Sequence, residues 1–271
     1  MESSEPGYVH GYDEREGERL LAQAWSVANL LHGDTSYRAG SRVLEVGCGT
    51  GAQTVTLARN SPGARIVAID RSAVSIGHAR QRALAAGMTG IEFHQADLFA
   101  LPFPERSFDH AFVCFVLEHL PNPAEALVEL RRLLKPGGTI TVFEGDHGSM
   151  YFHPASVEAD RAIGCQVELQ RRAGGNALIG RQLYPMLVNA GFAAVRVSPR
   201  MVYVDASQPA LVQAFTLGTF TAMIEGVREQ AIAAGIIDAD SFDAGIRALI
   251  RAGEDDGVVC YTFFKGIGVA V

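Results

Sequence analysis

A glycine-rich turn between a buried strand and a helix is the feature that most constrains this fold. Residues 43–51 read VLEVGCGTG, an apolar run that ends in glycines at positions 47, 49 and 51. Glycine is needed in such a turn because a side chain would keep the backbone away from a ligand. The N–H groups at the start of the following helix then point at whatever the turn holds. The sequence therefore predicts a site for a nucleotide-type cofactor.

Two residues of the turn bear on which cofactor it holds. Read from Gly47, the pattern is G-x-G-x-x-A, which also satisfies a dinucleotide fingerprint. Glu45, however, places a carboxylate two residues before the first glycine, where it would repel a pyrophosphate but not a cation. Gly51 extends the motif to G-x-G-x-G. Both features favour S-adenosylmethionine, whose methionine amine and sulfonium are positively charged.

Carboxylates also stand at the ends of the next two predicted strands. A strand over 65–70 (RIVAID) ends at Asp70, 19 residues after Gly51, where a carboxylate can accept from two ribose hydroxyls. Ser72 is the better N-cap for the helix that follows. A third strand over 91–95 leads to Asp97 and Leu98. We expect Asp97 to accept from an adenine amino group while Leu98 packs against the ring.

The alternation of strands and helices continues to residue 144. A fourth strand is predicted to begin at 110–114. The next helix has Asn122 as its N-cap, Pro123 at its first position and Glu125 closing a capping box. It is expected to end in the LKPGG turn at 134–138, before a fifth strand over 139–144.

Four segments, taken together, resemble a known family. VLEVGCGTG, IVAID, QADLFALPFPERSFDHAFVCFVLEHL and LRRLLKPGGTITV occur in the order and at the spacing of the motifs of class I S-adenosylmethionine-dependent methyltransferases. The resemblance covers roughly residues 40–145. It implies an α/β, Rossmann-like sheet of seven strands, mostly parallel with an antiparallel last strand, and helices on both faces.

The same resemblance implies a methyltransferase enzyme that uses S-adenosyl-L-methionine and releases S-adenosyl-L-homocysteine. In this interpretation the three glycines wrap the methionine end, Asp70 holds the ribose, and Asp97 with Leu98 frames the adenine. The expected cofactor-binding residues are Tyr8, Glu45, Gly47, Cys48, Gly49, Gly51, Asp70, Arg71, Ala96, Asp97, Leu98 and Cys114.

Composition argues for a small-molecule partner. The chain has 23 Lys and Arg against 30 Asp and Glu, a net charge of −7, and no basic block, so a nucleic-acid partner is not expected. We find no apolar run long enough to span a membrane and no signal-peptide pattern, and expect no membrane partner. Four scattered cysteines without a C-x-x-C motif favour reduced thiols in the cytoplasm. A homodimer is left open.

The segments outside the core are expected to close over the site. Residues 1–39 are predicted to be an N-terminal helical arm, and 40–271 the methyltransferase domain with an accessory helical insertion over about 205–256. Tyr8 and Tyr12 precede apolar residues at helical spacing, so the arm is expected to cover the cofactor, the alternative being surface packing of a loose terminus. The remaining predicted elements are helices over 167–172, 181–191, 207–229 and 240–252, a strand over 195–204 broken at Pro199, and a last strand over 258–264.

The segment after the fifth strand carries the candidate catalytic residues. Ligands bind at the carboxyl edge of open α/β sheets, and there Asp146 and His147 are candidates to orient an acceptor or take its proton. A hydrogen-bonded loop histidine is the alternative for His147. The spacing of His147 and His153 with nearby carboxylates matches no compact zinc pattern, so no metal is expected. The expected substrate-binding residues are Tyr12, Phe115, Asp146, His147 and Tyr184.

The acceptor is expected to be an aromatic or nitrogen-containing metabolite in an enclosed pocket. The blocks YVHGYDERE, EGDHGSMYFHP, GRQLYP, PRMVYVDAS and CYTFFKG resemble a subgroup of prokaryotic small-molecule methyltransferases that includes enzymes of indole-type scaffolds in secondary metabolism. The alternatives are an NAD-dependent oxidoreductase, a decarboxylating or cyclising enzyme on the same fold, and a non-catalytic cofactor-binding module. Glu45 and the LKPGG turn argue against the oxidoreductase.

Overall fold

The computed structural model describes residues 27–271, which fall into two compact units. We call one the sheet unit; it comprises Asn29–Gly145, Ile179–Arg200 and Phe264–Val271. We call the other the accessory unit; it comprises Met1–Ala28, of which only residues 27 and 28 are described, Asp146–Leu178 and Met201–Phe263. Expected contacts of Tyr8 and Tyr12 therefore lie outside the described residues.

The elements of the described part of the chain alternate between strands and helices up to residue 145. The strands are β1 (Arg42–Val46), β2 (Arg65–Asp70), β3 (Glu92–Gln95), β4 (Phe108–Cys114), β5 (Leu134–Gly145), β6 (Tyr151–His153), β7 (Ala193–Asp205) and β8 (Val258–Val269). The helices are α1 (residues 27–32), α2 (Ala52–Asn60), α3 (Ala73–Ala85), α4 (Pro123–Leu133), α5 (Val157–Arg172), α6 (Leu183–Asn189), α7 (Pro209–Leu211), α8 (Ala222–Glu225), α9 (Arg228–Ala233) and α10 (Ala239–Arg251). Val212–Thr221 forms a π-helix between α7 and α8.

The strands form a mostly parallel sheet in the order β3-β2-β1-β4-β5-β8-β6, with β7 paired to β8. Strands β1 to β5 pair in parallel, whereas β8 pairs antiparallel with β6. The predicted fold class is confirmed, with one short strand, β6, in addition to the expected seven. Because β1 is central among the parallel strands, the turn that follows it lies beside the carboxyl ends of β2 and β4.

The core of the sheet unit consists of apolar side chains from adjacent strands and from α4. Leu44, Val67, Val113 and Val142 belong to one buried cluster with Leu127 of α4. The strands read as continuous apolar runs because a parallel sheet is covered on both faces. This core fixes the strand ends on which the glycine turn and the two carboxylates are placed.

The boundary between α4 and β5 differs from the predicted one. Asn122 is the N-cap and Pro123 the first residue, as predicted, but no side-chain hydrogen bond caps the helix, so the capping box with Glu125 is wrong. The helix ends at Leu133, and residues 134–138 already belong to β5. The pairing register shifts there, and Gly137 donates its N–H to the carbonyl of Ala270 at 2.8 Å. Residues 134–138, which were predicted to form a turn, therefore take part in strand pairing.

The helix predicted over 167–172 is longer in the structure than its sequence indicates. Helix α5 begins ten residues before the predicted start, and its N-cap, Ser156, accepts from the N–H of Ala159 at 3.2 Å. Its buried face carries Gln166 and Gln170, whose amides bond to each other at 3.1 Å. Polar residues on the buried face hide the apolar period on which a helix prediction depends.

Two further elements depart from their predicted form. Strand β7 runs unbroken through Pro199, because it pairs only with β8 and an edge strand tolerates a missing N–H. The long helix predicted over 207–229 contains the π-helix, in which Thr219 donates its hydroxyl to the carbonyl of Ala214 at 2.7 Å. Within the accessory unit Phe215 and Phe220 of this π-helix pack against Tyr261, with ring centroids 6.1 and 5.5 Å away.

One segment meets the length and hydropathy of a membrane span, contrary to the sequence analysis. Pro209–Ala233 has a window of mean hydropathy 1.3, but half of that window is buried inside the structure. The same test is passed by core helices of proteins that have no membrane span, and the aromatic packing of Phe215 and Phe220 is that of a core helix.

All four cysteines are free thiols.

The close approach of α5 and α10 gives a test of the accessory unit. A Cβ added at Gly245 would lie 2.5 Å from the carbonyl oxygen of Glu158, whereas one added at Gly164, an exposed position of α5, meets nothing within 4 Å. We expect Gly245→Ala to lower the free energy of unfolding by about 1–3 kcal/mol through overpacking. Gly164→Ala is expected to raise it by about 0.5–1 kcal/mol through helix propensity. Denaturant unfolding of both variants measures this, and equal effects would contradict the packing.

Candidate cofactor site

The glycine turn after β1 has the backbone conformation that its sequence predicts. Gly47, Gly49 and Gly51 have φ angles of 64°, 51° and 81°, in the left-handed region that favours glycine. A Cβ at Gly51 would lie 2.8 Å from the Cα of Ala79 in α3, and one at Gly47 would lie 2.5 Å from a methyl of Val116. At Gly49 an added Cβ meets no atom of residues 27–271 within 4 Å. Two glycines thus allow close packing, and the third lies beside space that the described part of the chain leaves open.

Asp70 at the end of β2 is bonded directly to this turn. One carboxylate oxygen accepts from the N–H of Gly49 and the other from the N–H of Ser72, both at 2.9 Å. The N–H of Cys48 donates to the carbonyl of Ile69, also at 2.9 Å. Ser72 caps α3 as predicted, accepting from Ser75 at 3.2 Å. Asp70 therefore sets the position of Gly49, a role that the sequence analysis did not assign to it.

Glu45 is a buried carboxyl group beneath the turn. It is 2% exposed, and its Oε2 atom has no hydrogen-bond partner in residues 27–271. Burial, together with the negative charge of Asp70, raises the pKa of Glu45 to about 7. A buried carboxyl oxygen without a partner and the open space beside Gly49 fit a cationic ligand that carries hydroxyl groups. The residues present therefore fit S-adenosylmethionine.

The end of β3 brings the third predicted segment to the same edge of the sheet unit. The N–H of Ala96 donates to the carbonyl of Asp70 at 2.9 Å. Asp97 accepts from the N–H of Phe99 at 2.9 Å and so caps a short 3₁₀ turn that starts at the buried Leu98. Asp97 thus has a capping function, and the adenine contact stays a prediction.

Most of the predicted cofactor residues are gathered at this edge, where β1, β2 and β3 end. Arg71 is exposed directly after Asp70, and Cys114 is buried at the end of β4, where burial raises the pKa of its thiol. The next residue, Phe115, has a φ of 58°, which a residue with a side chain seldom adopts. A buried thiol with a raised pKa is inert, so the contribution of Cys114 is to packing.

Sequence reasoning missed residues that shape the turn from outside the motifs. Arg82 of α3 donates to the side-chain oxygen of Thr50 at 2.7 Å and also to its carbonyl oxygen. The carboxyl of Glu144 accepts from the N–H groups of Val116 and Leu117, at 3.0 and 2.7 Å. The arginines of α3 have the pattern of a solvent-exposed helix face. No local feature of the sequence indicates that Glu144 contacts a segment 27 residues earlier.

The candidate acceptor residues Asp146 and His147 lie in the accessory unit. Asp146 accepts from the N–H of Gly148 at 3.1 Å, and the Nδ1 atom of His147 lies 3.3 Å from the hydroxyl of Tyr261. Both predicted residues are buried, at 2% and 8% exposure. Tyr184, on α6 of the sheet unit, is 55% exposed. Within residues 27–271 no group of three His, Cys, Asp or Glu side chains could hold a metal ion.

Comparisons with known proteins agree with this geometry. A family model described as a methyltransferase domain matches residues 44–142. The 27-O-demethylrifamycin SV methyltransferase of Amycolatopsis mediterranei is 31% identical over 56% of this chain and 54% of its own. The demethylmenaquinone methyltransferase of Thermus thermophilus is 36% identical over 40% of this chain and 48% of its own. The matches thus span about half the length of these curated relatives.

A solved structure extends the likeness of the fold to most of the chain. The phosphoethanolamine N-methyltransferase 2 of Haemonchus contortus, in complex with phosphomonomethylethanolamine and S-adenosylhomocysteine, superposes with a TM-score of 0.58. The superposition covers 94% of this chain and 57% of the other, at 16% identity. The likeness concerns the fold, and it includes the residues after 142.

The hydrogen bond between Asp70 and Gly49 gives the first test of the site. We expect Asp70→Ala to weaken binding of S-adenosylhomocysteine by about 1–3 kcal/mol, because ligand hydroxyls and the Gly49 N–H both lose an acceptor. Isothermal titration calorimetry measures this. Asp109→Ala, which removes a half-buried carboxylate at the start of β4, at the edge of the sheet opposite the glycine turn, is the control and should bind as the wild type does. Equal affinities of all three proteins would contradict the assignment.

The pKa of Glu45 predicts a pH-dependent affinity. Because that pKa is raised to about 7, the carboxyl is neutral below pH 7 and becomes a carboxylate as the pH rises through it. The affinity for the cationic S-adenosylmethionine should therefore increase between pH 6 and 8, by roughly tenfold at most. Glu45→Gln should remove this dependence. A wild-type affinity that is constant or falls over the same range would contradict the prediction.

Proposed function

We propose that this protein transfers a methyl group from S-adenosylmethionine to a small-molecule acceptor, a proposal that the match of residues 44–142 to a methyltransferase-domain model supports. The observation that carries the proposal is the joint geometry of the turn and Asp70. A carboxylate bonded to the N–H of Gly49 stands next to open space at the carboxyl edge of a parallel sheet. Ligands bind at this edge in open α/β sheets.

The cofactor supplies an electrophilic methyl group on a sulfonium, which leaves as a neutral thioether when a nucleophile attacks in line. The protein's contribution is alignment and the exclusion of water. Glu45 supplies negative charge beside the turn once the pH exceeds its raised pKa of about 7, and Asp70 offers acceptor oxygens for hydroxyl groups. The glycines allow the backbone to approach the ligand closely because no side chain intervenes.

The acceptor is proposed to be an aromatic or nitrogen-containing metabolite, with indole-type scaffolds included. Two curated relatives are named for demethylmenaquinone and for 27-O-demethylrifamycin SV, both small molecules. The net charge of −7 disfavours a phosphate backbone as partner. We further propose a cytoplasmic enzyme, which the four free thiols support.

His147 is proposed to orient the acceptor or to accept its proton. Its ring is buried in the accessory unit, with the hydroxyl of Tyr261 3.3 Å from Nδ1 and the ring of Phe220 6.2 Å away, centroid to centroid. A hydrogen bond to one ring nitrogen selects the tautomer and fixes the orientation of the imidazole. An amine that is neutral when it attacks needs orientation alone, whereas a phenol also needs a base.

A screen with isotopically labelled methyl donor tests the function. Purified protein is incubated with the labelled donor and with panels of indoles, quinols, phenols, amines, RNA and protein, and the products are identified by mass spectrometry. Methylation of small aromatic or nitrogen-containing compounds is the expected result. Transfer only to RNA or protein would overturn the acceptor class. Oxidation of NADH without methyl transfer would overturn the reaction class.

Substitution of His147 gives a sharper prediction once an acceptor is known. If His147 is a general base, His147→Ala should lower kcat by roughly 10²–10⁴-fold while the affinity for S-adenosylhomocysteine stays unchanged. If it only orients the acceptor, the loss is smaller and independent of pH. His153→Ala is the matched control, because it removes an exposed histidine from β6. Equal turnover of both variants and the wild type would rule out a role for His147.

A further inference from the structure

Glu144, the second-last residue of β5, is a buried acid to which the proposed methyl transfer assigns no role. It is fully buried, and one of its carboxyl oxygens accepts from two consecutive N–H groups, those of Val116 and Leu117, at 3.0 and 2.7 Å. The other oxygen is buried and has no hydrogen-bond partner in residues 27–271. Burying a carboxyl group costs free energy, so we expect Glu144 to have a function beyond packing.

The segment that Glu144 holds begins with a disfavoured backbone conformation. Phe115, directly before the two bonded N–H groups, has a φ of 58°, in the left-handed region. Its own N–H donates to the carbonyl of Phe143 at 2.9 Å, so β5 anchors the segment on both sides of the disfavoured residue. A conformation of this kind persists only where the surroundings over-determine it. The Glu144 carboxyl contributes to this by accepting from the two N–H groups that follow Phe115.

Val116 connects this segment to the glycine turn. Its side chain lies directly against Gly47, since a Cβ added to that glycine would be 2.5 Å from one Val116 methyl and 3.3 Å from the other. A displacement of the Val116 backbone would therefore move the methyls that pack against the start of the turn. The contacts run from Glu144 to Val116 and from Val116 to Gly47, all within the sheet unit.

We propose that Glu144 is a positioning residue for cofactor binding, which holds Val116 against Gly47 through hydrogen bonds to the N–H groups of Val116 and Leu117. The negative charge of Glu118 and the burial of the site both raise the pKa of Glu144, burial more strongly. Glutamine has nearly the same shape as glutamate and keeps a side-chain oxygen that can accept from the N–H groups of Val116 and Leu117, so a glutamine can replace it.

Titration of S-adenosylhomocysteine by calorimetry tests the proposal, which rests on the proposed function only in taking the turn as the cofactor site. We expect Glu144→Gln to bind as the wild type does. Glu144→Ala should bind about tenfold more weakly, because two N–H groups lose their acceptor and the segment relaxes. Val142→Ala is the control: it removes buried volume from the same strand and lowers stability, but it should leave the affinity unchanged.

A double-mutant cycle separates positioning from general destabilisation. If Glu144 acts through Val116, then Val116→Ala also lowers the affinity for S-adenosylhomocysteine. The double variant Glu144→Ala/Val116→Ala should then have the same affinity as the single variant that binds more weakly. Losses that multiply would overturn the proposed route, as would a wild-type affinity in Glu144→Ala. Should Glu144→Ala not fold, Glu144→Asp, which withdraws the acceptor by one methylene, replaces it with the same expectations. Absence of binding to the wild type itself would instead refute the proposed function.

Discussion

The hydrogen bond from the Gly49 N–H to the Asp70 carboxylate is the interaction on which the candidate site depends. It joins the turn after β1 to the end of β2, two adjacent parallel strands whose register is fixed by backbone pairing. A charged acceptor makes such a bond about twice as strong as a neutral one. The Asp70 side chain thus fixes the position of Gly49 at the edge of the sheet where we propose that the cofactor binds. In that proposal one carboxylate both stabilises the turn and contacts the ligand.

The elements that could be predicted from sequence are those whose determinants are local. RIVAID forms β2 over the predicted residues, and Ser72 caps α3, because a buried strand and a cap each depend on a few consecutive residues. The gathering of Asp70, Asp97 and the turn followed from topology alone, since parallel strands bring their carboxyl ends to one edge. For these residues, the order of strands and helices along the chain is enough to predict that they lie at the same edge of the sheet.

The elements that could not be predicted depend on contacts distant in sequence. Helix α5 was mispredicted because its buried face carries Gln166 and Gln170, whose amides are joined by one hydrogen bond. Residues 134–138 join β5 because Gly137 bonds to Ala270, 133 residues later. The same holds at the site: Arg82 reaches Thr50 across 32 residues, and Glu144 reaches Val116 across 28. None of these pairings leaves a periodic signal along the chain.

The two buried acids of the sheet unit show how one residue type serves different ends. Glu45 and Glu144 both lie on strands at the carboxyl edge, and burial raises the pKa of each. Glu144 uses one oxygen to accept from two backbone N–H groups, and in both residues the Oε2 atom is buried without a hydrogen-bond partner among residues 27–271. The two acids therefore differ in the segments beside them. Glu144 fastens the segment that follows β4, which is why we propose a positioning role for it, whereas Glu45 lies two residues before the glycine turn, where its negative charge would favour the cationic ligand that we propose.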